Sequence, residues 1–235
     1  MPNTKNFALM ITAISAHKLE NMDKKHFLEI ERAKANAYNL FSSLLCEPEP
    51  ELLDENAIFK NLETYLRQLL PDADINLKAL YRQSPGYDIQ QLRIEYARLF
   101  IGPFKVPAPP YSSLYFGEKI VMGEATVWVK NFYRHAGLEF DSGLHDLPDH
   151  VAVETEFLYY LLYNEIVTID QGFIDDAKAF WVRQKEFTEK HYHIWVPDFC
   201  DKVIQNTNFD YFKIIFINFK LFIAEVNIPE FPNYR

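Results

Sequence analysis

The segment Glu95–Tyr115, EYARLFIGPFKVPAPPYSSLY, limits what this 235-residue chain can fold into more than any other stretch. It opens as the end of an amphipathic helix, with Leu92, Tyr96, Leu99 and Phe100 on one face. Gly102-Pro103 breaks that helix, because Pro103 lacks an N–H and disfavours helical geometry in the residue before it. Pro107, Pro109 and Pro110 then exclude both a helix interior and a central strand. What remains is a stiff connection displaying Tyr111 and Tyr115. Holding it open costs little entropy, and its rings offer apolar surface to a partner.

Helical periodicity fills the chain on both sides. Ile30, Ala33, Ala37, Leu40, Phe41 and Leu44 recur at helical spacing from about Asp23 to Cys46, and Glu47-Pro48-Glu49-Pro50 ends that helix. A second helix covers about Glu51 to Leu70, a short third residues 74–83, and Asp88 caps a fourth that runs into Phe100. Beyond the prolines come Gly123 to His135 with Gly137 as its stop, a helix from near Asp149, and others over about 173–190, 198–206 and 209–226. Only 7 glycines and no Asn-Gly or Asp-Gly turn argue against strands. The expected fold class is all-α, a single globular helical domain of about ten helices over residues 22–235. Residues 138–147, LEFDSGLHDL, are the expected hinge if there are two lobes. Lys5 and Phe7–Ala16 outline a signal sequence, but the apolar run is short and contains Thr12 and Ser15, so residues 1–21 read as a weakly ordered or non-native extension. No run reaches the roughly 18 apolar residues of a membrane span, so stable membrane insertion is not expected.

The net charge of −9 disfavours nucleic acid, whose phosphates need a basic stripe; it suits a partner with a basic segment, or simply keeps the chain in solution. Cys46 and Cys200 lack metal-ligand spacing and read as small buried hydrophobes in a reducing compartment. Neither phosphate-cradle motif is present, nor HExxH, nor a nucleophile elbow, so no catalytic residue, cofactor or metal is expected. Two further clusters stand out. In His145-Asp146-Leu147-Pro148-Asp149-His150, Asp146 and Asp149 suit a helix start, which leaves His150 unexplained. His150, Glu154, Phe157, Leu158 and Leu161 share a helical face, so an imidazole and a carboxylate on a partly buried stripe must find hydrogen-bond partners in the protein or a ligand. Between Phe187 and Phe199, His191-x-His193 lacks supporting ligands, Trp195 and Phe199 read as core anchors, and Pro197 as a helix break.

In this order the clusters resemble the TorD/DmsD/NarJ family of redox-enzyme maturation chaperones. The matching residues are Tyr96-x-x-Leu99-Phe100-x-Gly102-Pro103, then Pro107-x-Pro109-Pro110-Tyr111-x-Ser113-x-Tyr115. Pro148-Asp149-His150 with the acidic Glu154 and Glu156 follows, and then Phe187-x-x-x-His191-x-x-x-Trp195-x-Pro197-x-Phe199. The resemblance spans about residues 30–205. It implies an all-helical, cytoplasmic, non-catalytic protein. Such a chaperone binds the twin-arginine signal peptide, and in part the body, of a molybdenum-cofactor oxidoreductase, holding back export until the cofactor is inserted. Carried over residue by residue, it implies a peptide-binding surface of Phe100, Pro109, Tyr111, Ser113, Tyr115, Asp149 and His150. Where relatives often carry tryptophan, this chain has Tyr111 and Tyr115.

The chemistry of such a peptide extends the surface to Glu154 and Glu156, since guanidinium groups pair bidentately with carboxylates beside an aromatic wall. A monomer or a homodimer swapped through residues 138–147 is expected. Two readings compete. His135 with His145-Asp146 suggests an HD-type metal-dependent phosphohydrolase, although that dipeptide lies two residues before Pro148 rather than within a helix. The other is a helical adaptor without signal-peptide specificity.

Overall fold

The computed structural model describes residues 4–51, 57–83, 86–103, 105–117, 122–139 and 147–233, with side chains from Lys24 onward. Its helices are α1 (Thr4–Leu44), α2 (Ala57–Leu69), α3 (Lys78–Gln83), α4 (Ile89–Tyr96), α5 (Glu124–His135), α6 (Val151–Asp170), α7 (Ile174–Phe187), α8 (His193–Asn206) and α9 (Asp210–Glu225). The all-α expectation holds, with slightly fewer helices than ten. Among the described residues there is no strand, and the extended pairing present is a single bridge between Tyr111 and His150. The expected hinge lies mostly outside the described residues. The backbone of α1 runs through residue 21, where an extension was expected to join.

The long helix α1 is the spine. It packs on α2 and α6, while α6 also packs on α7, and α8 on α9. Aromatic rings fill the core: Phe41 lies 4.7 Å from Phe219 and 5.4 Å from Phe222 between ring centres, and Tyr38 lies 4.8 Å from Phe222. A polar cluster crosses the middle of this packing. Lys34 of α1, fully enclosed, donates to Glu31 Oε1 at 2.9 Å and to Gln184 Oε1 of α7 at 2.8 Å. Gln184 Nε2 in turn donates to Glu165 Oε2 of α6 at 3.2 Å. Three helices are thus held in one register by groups that each need the others for hydrogen bonding.

Helix ends follow local chemistry. Asp88 caps α4 as expected, its Oδ1 accepting the Gln90 N–H at 2.9 Å. The helix does not stop cleanly but widens into a π turn, Ala97–Ile101, that buries both Leu99 and Phe100. Gly102 follows at φ +82°, and Ala108 N–H returns to the Leu99 carbonyl at 3.1 Å, folding the proline segment back over the turn. Pro197 does not break its helix, contrary to expectation. Helix α8 passes through it directly after a π turn at Thr188–Tyr192, with Trp195, Val196 and Phe199 in the core, so tertiary packing overrides the local penalty.

At the end of α5, Gly137 sits at φ +85° and Leu138 N–H reaches back to Tyr133 O at 3.0 Å. An added Cβ meets nothing in space, so only backbone strain opposes it. Gly137→Ala is expected to cost about 1 kcal/mol, read as a lowered urea midpoint with unchanged slope; no shift would mean that the turn is unstrained.

Candidate peptide-binding site

The proline segment and the start of α6 are sewn together. Pro110 O accepts the Val151 N–H at 2.8 Å, and Ser112 N–H donates to Asp149 O at 3.0 Å, on either side of the Tyr111–His150 bridge. The Tyr111 ring meets the His150 imidazole edge-on at 5.3 Å. Asp149 is buried, and its Oδ2 accepts both the Ser113 hydroxyl at 2.7 Å and the Ser113 N–H at 3.2 Å. That carboxylate therefore fixes the 3-10 turn Ser112–Leu114. His150 is the N-cap of α6, its Nδ1 accepting the Ala152 N–H at 3.2 Å, so the neutral ring carries its proton on Nε2. The helix thus begins at Val151, two residues after Asp149, and the cap is an imidazole rather than Asp146, which lies outside the described residues.

One turn further along α6, Glu154 is enclosed. Its Oε1 bonds His191 Nε2 at 2.8 Å and its Oε2 accepts from Trp195 Nε1 at 2.9 Å. Burial pushes its carboxyl above the usual carboxylate range, opposed by His191, Trp195 and Ser112. Phe116 and Trp128 both stack on the His191 ring, at 5.1 and 4.9 Å. Tyr115 packs on Trp195 at 5.2 Å, and Lys202 Nζ sits 3.8 Å from the Tyr115 ring centre. Burial pushes the Tyr115 hydroxyl pKa up, with Cys200 and Asp198 adding to it.

The nine residues read from the sequence therefore separate. Tyr111, Ser113, Asp149 and His150 meet in one seam, with Pro109 half-buried beside it and Tyr115 at its far end. Phe100 is a core residue packed against Tyr96, Phe199, Phe212 and Phe216. Glu154 supports the seam from beneath. Glu156 alone is openly exposed, and it faces elsewhere.

Glu156 lines an open cavity of about 210 Å³ between the end of α5 and α6. Tyr133, Leu138, Val153, Phe157 and Tyr160 form its apolar walls, and Glu139 supplies a second carboxylate. Tyr133 O–H donates to Pro148 O at 2.8 Å, tying this cavity to the seam. Of its lining residues, Glu156 alone was among the nine expected. Val153, Glu156, Phe157 and Tyr160 lie at i, i+3, i+4 and i+7, so a second helical stripe beside the His150–Glu154 one was the available signal.

Residues 56–201 match the model of the nitrate reductase delta subunit family. The chaperone protein TorD of Vibrio parahaemolyticus is 27% identical over 76% of this chain and 86% of its own length. A perchlorate reductase assembly chaperone of Dechloromonas aromatica is 26% identical over 44% of this chain and 47% of its own. A crystal structure of a putative redox enzyme maturation protein from Archaeoglobus fulgidus superposes with a TM-score of 0.47 at 23% identity, covering 83% of this chain and 93% of that one. The matching family model spans more than half of the chain and includes both the proline segment and the capped start of α6. This chain belongs to the nitrate reductase delta subunit family, the redox-enzyme maturation chaperones of the TorD and DmsD kind.

Proposed function

We propose that the chain is a cytoplasmic, non-catalytic assembly chaperone for a molybdenum-cofactor oxidoreductase. It binds the twin-arginine signal peptide and the apo body of that client, and holds back export until the cofactor is inserted. The observation that carries the peptide reading is the cavity between α5 and α6, apolar on its walls with Glu139 and Glu156 among its lining residues. A twin-arginine peptide presents guanidinium groups followed by an apolar stretch, and this lining answers both: carboxylates for bidentate pairing, rings and aliphatic carbons for the rest. The names of the TorD and perchlorate reductase relatives support the client class. In this reading the Asp149–Ser113 seam is not the contact surface but the frame that sets where α6 begins.

Titrating the purified protein calorimetrically with a synthetic twin-arginine signal peptide tests it. Saturable heat is expected, lost when both arginines are replaced by glutamine. Absence of heat into the high micromolar range would favour an adaptor without signal-peptide specificity.

A further inference from the structure

A second groove, between α5 and α7, presents an arginine instead of a pair of carboxylates. Trp128, Asn131, Phe132 and His135 of α5 and Arg183 and Glu186 of α7 line a cavity of about 310 Å³. Trp128 and Phe132 form its apolar side, with ring centres 5.0 Å apart. Among the described residues no carboxylate lies within ion-pair distance of Arg183, whose guanidinium rests 5.9 Å from the Phe180 ring. Glu186 is already neutralised by Lys190 at 2.9 Å, and Arg134 holds the Asn131 amide at 3.2 Å. The lining and its immediate contacts thus hold three permanent cations against one paired carboxylate, on a chain whose net charge is −9. Consecutive residues Phe132 and Tyr133 line the two cavities, so α5 divides a groove lined by Glu139 and Glu156 from one that presents Arg183.

We infer that the α5–α7 groove docks an acidic segment of the client protein's body, with an aromatic or leucine side chain as its anchor. The anchor packs against Trp128 and Phe132 while a flanking carboxylate pairs with Arg183 in the planar two-bond geometry that only arginine offers. Charge complementarity selects this occupant, because a single compact cationic pocket on an acidic chain lacks the extended basic track that a nucleic-acid backbone needs. The inference rests on the reading that the chain holds the body of a client, and it does not depend on signal-peptide binding. Together the two grooves give a chaperone separate grips on the basic leader and an acidic patch of one client, and linked grips bind more tightly than either alone.

The test uses the full-length protein and a short fluorescein-labelled peptide with a central tryptophan flanked by aspartates, with an asparagine version as control. Fluorescence anisotropy is expected to show saturable binding of the acidic peptide that weakens at least ~10-fold in Arg183→Glu. Glu156→Lys should leave that affinity unchanged, and Arg183→Glu should leave twin-arginine peptide binding unchanged. Arg183→Gln, which keeps a polar side chain of similar length, serves should the reversal disturb folding, and is expected to weaken binding roughly threefold or more. Equal binding of the asparagine control, indifference to Arg183 substitution, or equal competition by an oligothymidine would each overturn the inference. Failure here with intact signal-peptide binding leaves the signal-peptide reading standing, whereas the reverse outcome removes that reading and keeps this site.

Discussion

Lys34→Met is expected to cost about 3–5 kcal/mol of stability, the largest effect of any single substitution considered. Lys34 is only 1% exposed and its ammonium is the cation among Glu31, Glu165 and Gln184. Methionine fills the space but leaves buried carboxyl groups on α1 and α6 with no countercharge. Glu165 already feels this environment: burial and the nearby Glu31 push its carboxyl well above the usual range, with Lys34 opposing. A folded-state pKa raised above the unfolded one means that this group favours folding fully at acid pH. That contribution is lost as pH climbs from the ordinary carboxylate value through the raised one.

Glu165→Gln should therefore raise the melting temperature at alkaline pH and flatten the profile, while Lys34→Met should lower it most steeply there. His193 acts in the opposite sense. Burial and Lys34 pull its imidazole down to about 4, so stability falls as pH drops below the ordinary histidine value of about 6.5. Thermal melts between acid and alkaline pH read both limbs, and a Lys34→Met profile parallel to that of the native chain would show the cluster to be inert.

Glu154→Ala is expected to destabilise the fold by about 2–4 kcal/mol, because it strands two buried donors and opens a cavity. The His191 and Trp195 nitrogens both end on that carboxylate, from the π turn and from α8. The near-ultraviolet circular dichroism of Trp195 should change with it. Affinity for a twin-arginine peptide, corrected for the folded fraction, should not. Loss of binding in a fully folded Glu154→Ala protein would instead make Glu154 a ligand-reading residue.

The sequence carried the outline of the fold because its signals are local. Prolines at 103, 107, 109 and 110 cannot be helical interior, and Asp88 and Gly137 act on the residues beside them. For the site, residue type and spacing could name candidates but not what each of them faces. Tyr111, Asp149 and His150 do meet, but a residue type does not say whether its partner is a ligand or the chain itself. The partner of Asp149 is Ser113, 36 positions earlier. Glu154 could be recognised as needing partners, yet they lie in the π turn and in α8, more than 35 residues away. The acidic groove was hidden for another reason: Glu139 and Glu156 belong to separate elements and converge only after the Gly137 turn is made. Lys34 had a signal that composition obscures. Phe27, Ile30, Lys34, Tyr38 and Phe41 fall on one stripe of α1, so a lysine on that face must be paired.

A charge exchange between groove and ligand tests the central claim most directly. The double variant Glu139→Lys/Glu156→Lys is titrated with the twin-arginine peptide and with a version bearing two glutamates in place of the arginines. Both positions are exposed, so helicity should be retained. Loss of the arginine peptide together with gain of the glutamate peptide is the expected result, since the attraction is then restored with its signs reversed. Undiminished binding of the arginine peptide by the double variant would contradict the assignment of the α5–α6 groove.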